Sequence, residues 1–320
     1  MFLIYINSYQ NKIKLRPKIA LIVLSWEGAR VHRDNRPILS LCLESIMKID
    51  YNNLSIYVAD VSNDSAIEDL IHTHYPNIRV IKGKNVSWSH NNNEALKNFI
   101  HNSDIEYFAF VSDDIIFNES GTLSRIIEGM DSDKRIGLGT CRILSTDNEP
   151  QYSGIRLNKF GIFVPANINE NRLMSNKEYL VGAFFIVKAT LIRKIGFLDE
   201  TYVMMGSEDT DLSERAYRAG YKCIYFHSVA LLHIGSASTI KLSEEIDERW
   251  PLQDIKRNMR LNTYIFLLRY KKILIISFLI FDSFAMIFKL KKYSILKIFE
   301  PITLLFRAFK TYKSSKIVYL

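Results

Sequence analysis

Cysteine is scarce. The chain has three in 320 residues, Cys42, Cys141 and Cys223, isolated from one another and odd in number. They supply neither a disulfide framework nor a metal-ligand spacing, which favours a reducing cytoplasm. Internal repeats and low-complexity runs are absent, which excludes repeat architectures and compositionally disordered chains. The opening "MFLIYINSYQNKIKLRPK" has about six mostly apolar residues before polar ones, too few for the apolar core of a signal peptide. Residues 1–17 therefore read as a leader. An uninterrupted apolar run of membrane-spanning length is missing too. The longest candidate, Ile273–Phe288, has 16 residues and Asp282 near its middle. As a helix it would span about 24 Å, against a hydrocarbon core of about 30 Å.

What is present is enough for a large core: 48% of residues are hydrophobic and 24% charged. The net charge of +8 is unevenly spread. From Lys256 onward there are 14 Lys and Arg against Asp282 and Glu300, a balance of +12, so residues 1–255 carry −4. A mildly acidic body with a basic, apolar tail is not the footprint of a nucleic-acid binder. It fits a tail that meets an anionic membrane surface.

Apolar runs and helical patterns alternate along the first half. "KIALIVLSW", "LSIYVAD", "NIRVIKG" and "YFAFVSD" read as buried strands. Between them, "RPILSLCLESIMK", "SAIEDLIHTHY" and "NNNEALKNFI" read as helices. Four alternations with short connections predict a mainly parallel sheet covered by helices on both faces. Ligands of such sheets bind at the carboxyl ends of the strands, where Asp60, Asp113 and Asp114 fall. In the second half "GLGTCRIL" and "YLVGAFFIVK" look like strands, separated by a loop-rich stretch at 145–178. "SEDTDLSERAYRAGYKCIYF" reads as an acidic helix start, a helix stopped at Gly220, and a strand.

Each polar cluster has two readings. Asp113–Asp114 is either a solvated turn after a strand or a mount for a divalent cation, since hard cations take carboxylate oxygens and leave places for phosphate. Asp60 either caps the loop that follows it or accepts a hydrogen bond from a nucleobase. The Asn-rich "NVSWSHNNNEAL" is either a loop with a helix cap or a polar wall for a sugar. Glu208, Asp209 and Asp211 either complement a helix N-terminus or include a carboxyl raised by its neighbours to serve as a general base. His233, alone after a strand, is a structural residue or a ligand.

The ordered set of these segments resembles glycosyltransferase family 2, with its GT-A fold, over roughly Lys18 to Ser238. The carriers are "ALIVLSW", the strand ending in Asp60, "NVSWSHNNNEAL", "FAFVSDD", "LVGAFFIVKATLIRKIGFLDE", "SEDTDLSERAYRAGY" and "LLHIGSAS". The closest flavour is that of rhamnosyltransferase-like enzymes of bacterial surface polysaccharides. The resemblance implies that Asp60, Trp88, Asn93, Asp113, Gly182 and Ala183 meet a nucleotide sugar. It implies that Asp114, with Asp113 and His233, holds Mn²⁺ or Mg²⁺ on the diphosphate, and that Asp209 is the catalytic base beside Glu208. The expected function is inverting transfer of a sugar from a UDP- or dTDP-linked donor to a saccharide hydroxyl, lipid-linked in O-antigen or capsule synthesis. A sugar-1-phosphate nucleotidylyltransferase is a competing reading, but "SWEGARVHR" is a poor version of the Gly-rich loop it needs. A non-catalytic membrane-docked scaffold would have little reason to keep both acidic pairs.

The expected layout is a catalytic domain at 18–240, with a nucleotide-binding half at 18–118 and an acceptor half at 119–240. A helical membrane-associating region follows at 241–320. "ILKIFEPITLLFRAFK" places Ile295, Ile298, Phe299, Ile302, Leu305, Phe306 and Phe309 along one helical side, the pattern of an interfacial helix. The expected location is the inner face of the cell membrane; a homo-oligomer is compatible with this reading.

Overall fold

The structure, a computed structural model, describes residues 16–235, 252–288 and 299–314. Seven of the ten strands of the main sheet form its body: β1 (Lys18–Ser25), β2 (Leu54–Asp60), β3 (Arg79–Lys82), β4 (Ile105–Ser112), β5 (Ile136–Leu144), β6 (Phe184–Lys188) and β7 (Lys222–His233). Ile115–Ile116, Pro150–Tyr152 and Arg172–Leu173 add short antiparallel pairings to β7 and β5. The spatial order of the seven is β7-β5-β6-β4-β1-β2-β3. β4, β1, β2 and β3 are mutually parallel, β6 runs against both β4 and β5, and β7 is parallel to β5. One strand of the seven is thus reversed, and the sheet is mainly parallel as the alternation predicts.

The faces follow the two-residue period of a strand. Ile19, Leu21 and Val23 of β1 and Tyr107, Ala109 and Val111 of β4 point to one side. There they meet α1 (Ile38–Met47), α2 (Ala66–His74) and α4 (Thr122–Asp131). Ala20, Ile22, Phe108 and Phe110 point to the other side. They meet α3 (Trp88–Lys97), α5 (Ala189–Ile195) and α6 (Glu208–Arg218). Both faces are therefore covered, and the cysteines are buried and unpaired within this core.

Two regions differ from the sequence expectation. The stretch at 145–178 is not merely loop: Ile155–Leu157, Phe163–Pro165 and Glu178–Tyr179 form a small antiparallel sheet. "YLVGAFFIVK" splits, its first residues joining that small sheet and only Phe184–Lys188 entering the main one, with Leu180–Ala183 turning between them.

The described part of the C-terminal region is not separate from the domain. It forms α7 (Leu252–Tyr270), α8 (Ile275–Phe288) and α9 (Glu300–Ser314). Leu261, Tyr264, Phe266, Phe278, Leu304 and Ala308 share a core with Tyr179 and Tyr202. Phe266 packs edge-on against Phe163 and Tyr179. Asp282 is 5% exposed and faces inward. Arg260 donates to both of its oxygens at 2.7 and 2.8 Å, and the Tyr264 hydroxyl donates to it at 3.0 Å. Arg260 also reaches Glu300 of α9, so one guanidinium ties three helices together.

Candidate active site

The strand ends converge. β1, β2 and β4 are parallel and in register so that Ser25, Asp60 and Ser112 lie together at one sheet edge. The chain leaves β4 as Asp113–Asp114 and re-enters pairing at Ile115–Ile116, antiparallel to Leu232–His233 of β7. The Ile234 N–H donates to the Asp114 carbonyl at 2.9 Å. This register, which joins two segments over a hundred residues apart, sets the His233 Nε2 3.1 Å from Asp114 Oδ2.

Asp113 is held from the other side: the Ser25 hydroxyl donates to Oδ2 at 2.6 Å. A Cβ on Gly28 would lie 2.4 Å from that same oxygen and from Ser25 Oγ, so a side chain here would displace the Ser25–Asp113 bond. Burial and then the neighbouring Asp114 charge push the Asp113 carboxyl well above its ordinary range, against the opposing Ser25 bond. Asp114 Oδ1 is buried with no hydrogen-bond partner. A buried carboxylate oxygen left bare is costly unless something binds it.

A second acidic pair begins α6. The segment before it, Tyr202–Ser207, contains left-handed residues: Met204 (φ 63°), Gly206 (φ 97°) and Ser207 (φ 81°). It delivers Glu208 and Asp209, both buried, to the cavity wall. Asp209 Oδ1 accepts from the Thr210 N–H and hydroxyl, and Gly182 N–H also donates to this carboxylate. Burial outweighs these bonds and raises its pKa. Glu208 is raised by burial and by the Asp209 charge, and its Oε2 is buried without a partner. The third acid of the turn behaves differently. Burial would raise Asp211, but Arg215 at 2.6 Å and Arg269 at 3.2 Å hold it ionised, its pKa below the usual range. The acidic turn thus splits into a paired structural carboxylate and two unpaired ones.

Both acidic pairs open on one cavity of about 330 Å³. Trp88, Gly182, Ala183 and His233 line it as well. Trp88 lies against Phe110 and Phe185, with ring centroids 6.5 and 6.0 Å away. Two predicted contacts fall elsewhere. Asp60 is fully buried; its Oδ1 accepts from Ser62 N–H at 2.8 Å and its Oδ2 from Lys82 Nζ at 2.7 Å, the capping alternative. The adjacent Val61 lines the cavity instead. Asn93 brackets α3 to the turn after α5, donating to Leu198 O and Glu200 and accepting from Leu198 N–H. Asn91, two residues earlier and so roughly 200° around the helix, is the α3 asparagine that lines the cavity, together with Asn85 ahead of the helix. Met204, Met205, Ile255 and Met259 complete the wall. No sequence signal singled them out, because isolated apolar residues look the same at a rim and in a core. Ile255 and Met259 belong to α7, so the expected boundary at residue 240 cuts through the wall of the site.

The arrangement can do two things chemically. A carboxylate oxygen and an imidazole nitrogen face each other at Asp114 and His233, and a raised carboxylate stands at Asp209. Among the described residues no group of three or more His, Cys, Asp or Glu is arranged to enclose a cation, so protein ligands alone would leave positions open.

The family model described as "Glycosyltransferase like family 2" matches residues 17–251. No curated protein sequence matches the chain. Among solved structures, residues 1–349 of TarS from S. aureus are similar with a TM-score of 0.56 at 15% identity, covering 92% of this chain and 81% of that one. A mannosyltransferase from Pyrobaculum calidifontis, in complex with GDP-Man and Mn²⁺, is similar with a TM-score of 0.56 at 16% identity, covering 94% and 88%. GalNAc-T7 with UDP, GalNAc and Mn²⁺ has a TM-score of 0.53 at 11% identity; 68% of this chain covers 43% of that one. At these identities the likeness establishes the fold, which is GT-A.

Proposed function

Because the chain belongs to glycosyltransferase family 2, we propose that it is an inverting, metal-dependent transferase that moves a sugar from a nucleotide diphosphate to a saccharide hydroxyl. One observation carries this reading: two acidic pairs face one cavity, and each keeps a buried carboxylate oxygen without a hydrogen-bond partner, at Asp114 and at Glu208. Asp209 takes the proton of the acceptor hydroxyl as that oxygen attacks the anomeric carbon from the face opposite the leaving diphosphate. Its raised pKa suits that exchange, and general-base help of this kind contributes about 10²–10⁴-fold. Trp88, Gly182 and Asn91 orient the donor.

The bare Asp114 oxygen and its neighbour His233 fit Mn²⁺ or Mg²⁺, with Asp113 alongside, and two protein ligands leave positions for phosphate oxygens. A bound cation would neutralise the departing diphosphate, a contribution of several kcal/mol. The crystallisation of two structural neighbours with Mn²⁺ supports this choice. The nucleotide is UDP or dTDP, and the pathway is synthesis of a cell-surface polysaccharide.

The acceptor is lipid-linked, and the chain meets the anionic inner leaflet through its C-terminal helices. Ile276, Ile280 and Phe284 recur every four residues on α8, and Ile302, Phe306 and Phe309 follow at steps of four and three on α9; all are exposed, Ile276 at 70% and Phe306 at 72%. No helix among the described residues is long and apolar enough to cross a membrane. An interfacial helix with basic flanks is the remaining way for such a face to meet lipid.

Thermal melts with UDP-, dTDP- and GDP-sugars, with and without Mn²⁺, test the reading together with donor hydrolysis. One nucleotide sugar should raise the melting temperature, more with Mn²⁺, and be slowly hydrolysed. No stabilisation and no hydrolysis for any donor would sink it.

A further inference from the structure

α7 touches the site through one face. Ile255, Met259, Asn262 and Arg269 recur at helical spacing, and each meets something in or behind the cavity wall. Ile255 and Met259 line it. Arg269 pairs with Asp199 and with Asp211, which sits on the same turn of α6 as Glu208 and Asp209. Asn262 is fully buried and spends its whole amide on one backbone segment. Its Oδ1 accepts from Val203 N–H at 2.9 Å. Its Nδ2 lies within hydrogen-bond distance of the carbonyls of Val203 at 2.9 Å, Met205 at 3.0 Å and Gly206 at 2.8 Å, so its two N–H groups serve three acceptors, one of them shared.

That segment is the one whose left-handed residues, Met204, Gly206 and Ser207, turn the chain into α6. Non-glycine residues hold such conformations only where surroundings over-determine them. Trp88 N–H binds the Met204 carbonyl from the α3 side at 2.7 Å, and the Asn262 amide holds the turn from the α7 side. Only a side chain with an acceptor and two donors at this length fits all these partners.

We propose that Asn262 is a positioning residue for transfer: its amide fixes the turn at 203–207 and thereby the placement of the Glu208–Asp209 carboxylates. This rests on the glycosyltransferase reading. Asn262 touches neither substrate nor the reacting atoms; it acts through the turn.

The test compares Asn262→Leu, which keeps the volume and removes every bond, with Asn262→Asp, which keeps the acceptor and loses the donors. Leu261→Ala is the control, since Leu261 is buried in the α7 core and its apolar side chain has no group to hydrogen-bond the turn. Steady-state transfer, its pH profile, donor affinity and amide hydrogen exchange are measured on the full chain. Both Asn262 variants should lose at least tenfold in kcat and shift the pH profile, while donor affinity stays within threefold. Amides of 203–209 should exchange at least tenfold faster. Leu261→Ala should lower the melting temperature yet keep kcat within threefold. If the Asn262 variants keep kcat, or Leu261→Ala loses as much as they do, the positioning role is overturned and the glycosyltransferase reading stands. If either Asn262 variant cannot fold, the other decides. If both fail while Leu261→Ala folds and is active, Asn262 is a stability residue and the positioning role is overturned. A wild type that turns over no nucleotide sugar overturns the broader reading and this one with it.

Discussion

Asp114, Asp209 and Glu208 have the same functional group and three different surroundings. Asp114 keeps a bare oxygen beside His233, Asp209 is bonded by Thr210 and Gly182, and Glu208 is buried against Asp209. Asp114→Ala should abolish transfer while circular dichroism and the melting curve stay those of a folded protein. More than a tenth of wild-type turnover in the purified variant would remove the metal assignment. Asp209→Asn keeps the shape and cannot take a proton, so turnover should fall by about 10²-fold or more while the Mn²⁺–donor complex still forms. Equal losses of binding and turnover would move Asp209 out of the base role. Glu208 makes a stability prediction. Its pKa is raised in the fold, so the native state binds its proton more tightly than the unfolded chain does. Folding stability is then lost as pH rises from the ordinary carboxyl value of about 4.3 through the raised one. Glu208→Gln removes that loss, so its melting temperature relative to wild type should improve from pH 4 to pH 8. A difference that does not change with pH would show that Glu208 is not held protonated by its site.

At the scale of elements, the sequence was most legible where a period is strict. The alternating apolar residues of β1 and β4 announced a doubly covered strand, and both faces are filled. α3 was less legible, because three consecutive asparagines look alike until helix rotation sends Asn91 to the cavity and Asn93 to Leu198. Asp282 was misleading in isolation. In the apolar run it reads as a charge opposing insertion, but Arg260, 22 positions earlier, neutralises it on the inner side. Removing one member of a buried pair costs about 3–5 kcal/mol, whereas replacing both by apolar residues is often nearly neutral. Asp282→Ala should therefore lower the unfolding free energy by about 3 kcal/mol, and Arg260→Met with Asp282→Leu should recover most of it. Urea unfolding checks both; a double variant as unstable as the single one would mean the pair itself drives the docking of α8.

For the whole molecule, part of the basic tail is spent on the acidic body: Arg269 pairs with Asp199 and Asp211, and Lys271 with Glu214. α7 belongs to the wall of the site, α8 docks through Phe278 and Asp282, and α9 docks through Leu304 and Ala308. The expected apolar stripe stays outside at Phe299, Ile302, Phe306 and Phe309, with Leu305 half-buried, while α9 docks through Pro301, Leu304 and Ala308, which the stripe did not include. Ile295 and Ile298 lie outside the described residues. The full chain should float with anionic vesicles and less so in high salt, as each basic residue reaching the surface contributes about 1 kcal/mol. Ile280→Glu with Phe306→Glu should abolish flotation without changing donor hydrolysis. Unchanged flotation of the double variant would sink the lipid assignment of this face.

By itself the sequence determined the layered α/β class, the strand ends that carry carboxylates, and the basic, apolar tail. Those depend on local period and local charge, which no later folding step alters. Tertiary structure decided which carboxylate is paired and which is bare, which asparagine faces the cavity, and that α7 helps to build the site. These depend on partners far along the chain: His233 reaches Asp114 through strand register, Arg269 claims Asp211, and Asn262 grips the turn before Glu208. A residue's type states what bonds it can make, and only the packed chain states which of them are already taken.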